Sequence, residues 1–432
     1  MKEKFIKSTI ILLVGGLLTK ILGMIIKIVM SRMIGTEGLG LYMMILPTFS
    51  LLIGIAQFGM PIAFSKMVAE NKKSKKKLFS SILPIIFIIN IILIFLIIIF
   101  APILANNFLH DERVYLGILA MSLVIPFTSL SSVCRSYFFG VEKMFPHVLS
   151  NLVEDIVRLF MMITFIPFFL SKGLEYAICF IILSNVISEG ISILILIFFL
   201  PRKIKFNKNN LRPSKIYIKD LLDIGIPNTT SRLVGSIGYF LEPIILTGTL
   251  VMAGYSNKYI TLQYGIISGY VIPILLLPSF FTLAISQALL PVVTKEYSLG
   301  HIENTKKKIK QGVLLSISIG IPATILLFIF PQLFLKLIYN TNDGISYMRV
   351  LAPVCLLQYI QSPLSFSLDA MGRSKDNMIA VTIGVIIRTS LLFILSILKI
   401  GMWGLIISTS INVIVVTFYN IKKVRLALTI QY

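Results

Sequence analysis

The sequence predicts an all-α integral membrane protein, with twelve transmembrane helices in two pseudo-symmetric six-helix lobes. Three observations carry that expectation. First, 56% of the 432 residues are hydrophobic and the mean hydropathy is +0.93, values that exclude an ordinary soluble domain. Second, the apolar residues fall in continuous runs: no charge occurs from Leu78 to Leu109 or from Gly401 to Ile421. A helix needs about 20 apolar residues to cross roughly 30 Å of hydrocarbon, whereas a barrel would show ten-residue alternation. Third, the 40 Lys and Arg residues are distributed very unevenly between alternate loops. Threading the spans from a cytoplasmic start puts 27 basic residues in inner loops and tails, 6 in outer loops and 7 within spans. The net charge is then +20 inside and +1 outside, so both termini are expected in the cytoplasm and the chain multi-pass in the cell membrane.

The spans follow in order. Span 1, residues 8–31, opens after Lys2, Lys4 and Lys7 and has a signal-like start. It lacks a small-residue cleavage site and continues through Lys20 to Ser31, so it is expected to be retained. Span 2 covers residues 40–65 and contains Pro47; a basic loop to Lys77 leads into span 3, residues 79–104. Span 4 (114–138) contains Pro126, and spans 5 (147–170) and 6 (176–200) complete the first half. Residues 201–219 carry Arg202, Lys203, Lys205, Lys208, Arg212, Lys215 and Lys219, and form a basic linker between a lobe of residues 1–200 and a lobe of residues 220–432. The second half reads as residues 221–250, 260–290, 311–334, 347–370, 377–398 and 403–420, with Pro273, Pro278 and Pro353 inside spans. Missing backbone donors at such prolines shape or bend membrane helices.

The halves repeat short motifs in a common order. Thr19-Lys20-Ile21-Leu22-Gly23 matches Ser231-Arg232-Leu233-Val234-Gly235, Pro126 matches Pro353, Gly140-x-x-Lys143 matches Gly372-x-x-Lys375, and Arg158 matches Arg388. An even number of spans per half makes this a parallel repeat, and ligand sites in such folds lie between repeats near mid-depth.

Charges within spans are the candidate site residues. Lys20 lies roughly 16 Å along its helix, and Arg158, Arg232 and Arg388 lie at similar depth. A cation near the bilayer centre costs at least about 2.5–3.5 kcal/mol unless it meets water or a partner. Glu154 and Asp155 precede Arg158 by one turn, so a structural ion pair is expected there. Lys20 and Arg232 have no acid within a turn and are expected to face an anionic ligand; Lys27 shares the Lys20 face, nearer the outer surface. Arg388 is a further candidate, with Asp369 on the preceding span as an alternative partner. Glu242 is a candidate coupling residue or, more economically, a partner for Lys27. Glu189 reads as a buried carboxyl, hydrogen-bonded or protonated, and Arg135 as interfacial. Cys134, Cys179 and Cys355 share no metal-ligand spacing, so no metal and no disulfide is expected. The positive charge is spread over many inner segments, which favours anionic inner-leaflet lipid over nucleic acid.

The chain resembles the stage V sporulation protein B family, within the multidrug/oligosaccharidyl-lipid/polysaccharide (MOP) exporter superfamily. The resemblance rests on Gly35-Thr-Glu-Gly-Leu-Gly-Leu-Tyr42, on Asn151-Leu-Val-Glu-Asp-Ile-Val-Arg158 and on Gly265 through Pro291 with Pro273-Ile-Leu-Leu-Leu-Pro278. It implies a MATE/MOP-like fold of two six-helix lobes around a central cavity, alternating access, and a lipid-linked glycan as substrate. Sporulation or cell-wall and polysaccharide biosynthesis is the implied setting. Similarity to lipid II flippases places Lys20 at a basic cavity position. Those relatives also carry arginines in spans 2 and 8, whereas Leu39–Ser65 and Tyr259–Thr294 contain no charge here. A flippase for an undecaprenyl-pyrophosphate-linked glycan is therefore expected, substrate-bound through Lys20, Lys27, Arg232 and Arg388, without cofactor or nucleic acid, and acting as a monomer. Cation-coupled multidrug efflux on the same fold is the alternative. A membrane glycan polymerase is less favoured: it needs a positioned acid or base and often a sizeable outer loop. The outer loops here are short, and His110, His147 and His301 are dispersed, so no enzyme is expected.

Overall fold

The computed structural model describes residues 2–70, 74–201 and 213–429, with side chains from residue 11 onward except at 13, 227, 228 and 230–232. The described chain is helical and divides into two compact units, Met1–Phe240 and Leu241–Tyr432. The division falls inside a long helix, C-terminal to the basic linker marked in the sequence, most of which (202–212) lies outside the described residues.

In the first unit, helix α1 (Lys2–Gln57) is interrupted at Gly35, whose φ of 67° and ψ of −176° are not helical. Spans 1 and 2 thus join through one residue that tolerates positive φ. The chain turns again at Phe58 and Gly59 before α2 (Met60–Glu70). At Gly59 a Cβ would sit 2.3 Å from the Gly225 carbonyl oxygen, so this turn packs backbone against backbone. Helices α3 (Lys75–Ile103), α4 (Tyr115–Gly140), α5 (Met144–Leu170) and α6 (Leu174–Phe199) follow, and α7 (Lys215–Met252) begins in this unit. Buried Ser129, Ser131, Ser184, Ser188 and Ser192 line α4 and α6. Small residues let membrane helices approach closely, because lipid supplies no hydrophobic drive between them. Phe64, Phe79, Tyr137 and Phe138 form the aromatic part of a core shared by α2, α3 and α4. In contrast, Phe87, Phe95, Ile98, Ile99 and Phe100 on α3 are exposed, an apolar exterior that suits hydrocarbon.

The second unit takes α7 from Leu241, then α8 (Asn257–Tyr264), a π-helical stretch (Gly265–Val271) and α9 (Ile272–Leu275). After a break, α10 (Ser279–Ser298) leaves at 51°. Pro278 cannot donate, and Ser279 N–H turns to the Leu276 carbonyl, so Leu275 loses its helical donor. The Tyr359 hydroxyl donates to the Leu275 oxygen at 2.6 Å and satisfies it within the core. Helices α11 (Ile302–Ile329), α12 (Pro331–Tyr339), α13 (Ile345–Ala370), α14 (Ser374–Ile397) and α15 (Trp403–Thr429) complete the unit. Span 9, expected at 311–334, instead starts at Ile302 and stops at Ile329, because Pro331 opens a separate short helix.

Eight described helices are long and apolar enough to cross a membrane, nine if the bent pair counts as one. Helix α5 is not among them because any long window of it includes Glu154, Asp155 and Arg158. With α1 divided at Gly35, the helix order is consistent with the twelve expected spans.

Candidate functional site

Lys20 and Lys27 lie on one side of α1. Gly16, Lys20, Gly23 and Lys27 recur at helical spacing, and a Cβ added at Gly16 or Gly23 would meet nothing within 4 Å. Gly15 marks the packed side, since a Cβ there would lie 2.2 Å from Val148 Cγ1 of α5. Five residues further on, at about 100° per residue, Lys20 points about 140° away from that contact. A separate exposed stripe, Val14, Leu18, Ile21 and Ile25, is purely apolar. Lys20 is exposed and Lys27 half-buried, and among the described residues neither makes an ion pair. Arg232 sits in helical backbone, but its side chain lies outside the described residues.

The cations of the first unit that do find partners gather between α4, α5 and α6. Arg158 Nη2 donates to Glu154 Oε1 one turn back, and its Nη1 lies 3.6 Å from Asp155 Oδ1. Arg135 of α4 donates to Glu154 Oε2, to Glu189 Oε2 of α6 at 3.0 Å and to Ser192 Oγ at 2.9 Å. Glu154 therefore bridges two guanidiniums, at 7% exposure. Arg135, read from sequence as interfacial, is instead a member of this network, because two acids from other helices converge on it. Only the Glu154–Arg158 spacing signalled the network in the sequence. Ser131 and Ser192 gave no signal.

In the second unit Arg388 of α14 pairs with Glu242 of α7 through Nη2 and Oε2. Glu242 is 3% exposed and also accepts from the Tyr264 hydroxyl at 3.1 Å. Two sequence expectations change here. The carboxylate thought to suit Lys27 is taken by Arg388, and Arg388 is held by Glu242 rather than Asp369, which accepts from Asn377 Nδ2 at 3.3 Å. Helical periodicity gives no hint of a pair between residues so far apart. Among the described residues no group of three His, Cys, Asp or Glu side chains is placed to hold a metal ion, and the cysteines are free.

Long apolar-faced helices with ion pairs between them define a multi-pass membrane protein, and solved transporters share its fold. An inward-facing multidrug resistance MATE family transporter of the MOP superfamily aligns with a TM-score of 0.78 at 16% identity, covering 95% of this chain and 94% of that one. The lipid II flippase MurJ in an inward closed conformation aligns with a TM-score of 0.74 at 18% identity, covering 96% and 87%. By sequence, stage V sporulation protein B of Bacillus subtilis (strain 168) is 33% identical over 442 residues, spanning 100% of this chain and 85% of the relative. The polysaccharide biosynthesis protein family model matches residues 5–296, and the MatE model matches residues 267–394. The chain belongs to the polysaccharide biosynthesis protein family.

Proposed function

We propose that this protein is a flippase that carries an undecaprenyl-pyrophosphate-linked glycan across the cell membrane by alternating access, with both termini cytoplasmic. The observation that carries the reading is Lys20: an exposed cation with no ion-pair partner among the described residues, on a face distinct from the apolar stripe of its own helix. A lysine ammonium is a point charge suited to phosphate oxygens, and Lys27 continues the same face. Arg232, matched to Lys20 in the sequence repeat, is proposed as a second phosphate contact. Arg388 leaves that set because its guanidinium holds Glu242. The names of the relatives support the substrate class: a stage V sporulation protein B, a lipid II flippase, and a family of polysaccharide biosynthesis proteins. The glycan moves without chemical change, so no catalytic group is required. Anionic lipid of the inner leaflet is the partner proposed for the basic loops, which also set the orientation.

Moving two negative charges outward from a negative interior releases about 4–5 kcal/mol at about 100 mV, so voltage suffices to drive the cycle. Of the acids that cation-coupled drug efflux would call upon, Glu154 and Glu242 are each held by arginine.

Reconstitution in liposomes with a labelled lipid-linked oligosaccharide tests the proposal by reading arrival in the opposite leaflet with and without an imposed voltage. Transport is expected from the wild type and is lost in Lys20→Ala combined with Arg232→Ala at unchanged membrane insertion. Full transport in the double variant refutes the site, and failure of the wild type to move any lipid-linked glycan refutes the function.

A further inference from the structure

The network between α4, α5 and α6 contains two permanent cations, Arg135 and Arg158, and three carboxyls, Glu154, Asp155 and Glu189. With all three ionised it carries one surplus negative charge inside a membrane-spanning unit, where an unbalanced charge is costly. The arginines cannot adjust, so the balance rests on a carboxyl.

The hydrogen bonds identify which one. Glu154 receives a donor on each oxygen, one from each arginine, and is the best-held anion. Asp155 faces Arg158 at 3.6 Å and is partly open to its surroundings. Glu189 is 6% exposed, and its share of positive charge is small. Arg135 Nη2 has two hydrogens but three acceptors in reach: Glu154 Oε2, Glu189 Oε2 and Ser192 Oγ. Ser131 is similarly over-subscribed. Its single hydroxyl proton faces both Glu189 Oε2 and the Thr128 carbonyl oxygen, the latter at 3.3 Å. A proton on Glu189 resolves both shortages, because the acid then donates to Ser131 Oγ while Ser131 donates to Thr128.

We infer that Glu189 is a proton-binding site, holding one exchangeable proton that neutralises the network. The other titratable or charged groups facing it are accounted for. Arg135 comes from α4 and Glu154 and Arg158 from α5; beyond them, Asp155 and Tyr42 of α1 lie near Arg158, and Cys134 and His147 near Arg135. Of these, Tyr42, Cys134 and His147 are neutral in their ordinary states and leave the count unchanged.

The site is read without any substrate, so its test stands apart from that of the flippase assignment. Infrared difference spectra of the intact protein in lipid bilayers, with carbon-13-labelled glutamate to separate Glu from Asp, resolve the carbonyl stretch of a protonated side-chain carboxyl. A glutamate band is expected at neutral pH in the wild type. It disappears in Glu189→Gln, a near-isosteric neutral replacement whose melting temperature stays at the wild-type value. Absence of the band in the wild type, or its survival in Glu189→Gln, overturns the assignment. A band seen only after sodium is removed overturns the proton in favour of a bound cation.

Discussion

Replacing Glu242 by Gln removes a charge from the second unit with almost no change of shape. Arg388 then keeps its guanidinium within α14 with no carboxylate in reach, while the new side-chain amide oxygen still accepts from Tyr264. Removing one partner of a buried ion pair costs about 3–5 kcal/mol, because the other charge stays buried and unpaired. Arg388 retains 24% side-chain exposure, against 4% for Glu242, so the lower end of about 3 kcal/mol applies. For a unit of this size each kcal/mol shifts the midpoint by about 2–4 °C, so thermal unfolding in detergent should fall by about 6–12 °C. Arg388→Met leaves a carboxyl that can take up a proton and keep its tyrosine donor, and should cost about 1–3 kcal/mol. Combining the two removes both charges, and the double variant should return to within about 1 kcal/mol of the wild type. If Glu242→Gln melts within 2 °C of the wild type (the smallest shift about 1 kcal/mol would give), or if the double variant falls by the sum of the single losses, the pair is not what holds these helices. The double variant should also flip substrate at the wild-type rate, since neither residue is assigned to the ligand.

Gly15→Ala and Gly23→Ala are the same substitution on opposite sides of α1. The first places a methyl 2.2 Å from Val148 Cγ1 and should lower the melting temperature, by overpacking worth about 1–3 kcal/mol. The second meets open space and should be neutral or stabilising by up to about 1 kcal/mol through helix propensity, although a methyl beside Lys20 should weaken transport if a headgroup uses that face. Glu154→Gln leaves two carboxyls for two arginines, so Glu189 can ionise at no charge penalty. The infrared band assigned to Glu189 should vanish in that variant too, and its persistence would show that burial rather than charge balance holds the proton.

The spans were legible in the sequence because a membrane helix must satisfy its backbone internally and its side chains must suit lipid, so each span is written locally. Arg158 with Glu154 was legible for the same reason: one helical turn brings them together. What the sequence hid is non-local. Arg135 looked like an end-of-helix residue until α5 and α6 supplied its carboxylates, and Glu242 offered no reason to choose Arg388 over another cation. The prolines show the same limit. Pro126 and Pro353 sit within unbroken helices, whereas the chain breaks at Leu276–Pro278, where Tyr359 from α13 is positioned to take the freed carbonyl. A missing donor permits a break; a tertiary partner makes it affordable.

The repeat gives these pairings a further meaning. Arg158 and Arg388 stand at matching places in the two halves, and each is neutralised by a glutamate, but from different sources: the preceding turn of α5 in one case, and α7 in the other. The same physical requirement, a countercharge for an arginine at membrane depth, has been met by two unrelated local solutions. That is the pattern of a structural need rather than of a shared ligand geometry, which would demand like surroundings in both halves. The rigid guanidinium fork suits such internal carboxylate contacts, whereas the ammonium of Lys20 lies on an open, glycine-flanked face with no ion-pair partner among the described residues. Arg158 and Arg388 therefore hold helices together within their units, and Lys20, with Arg232, is the charge proposed for the cargo.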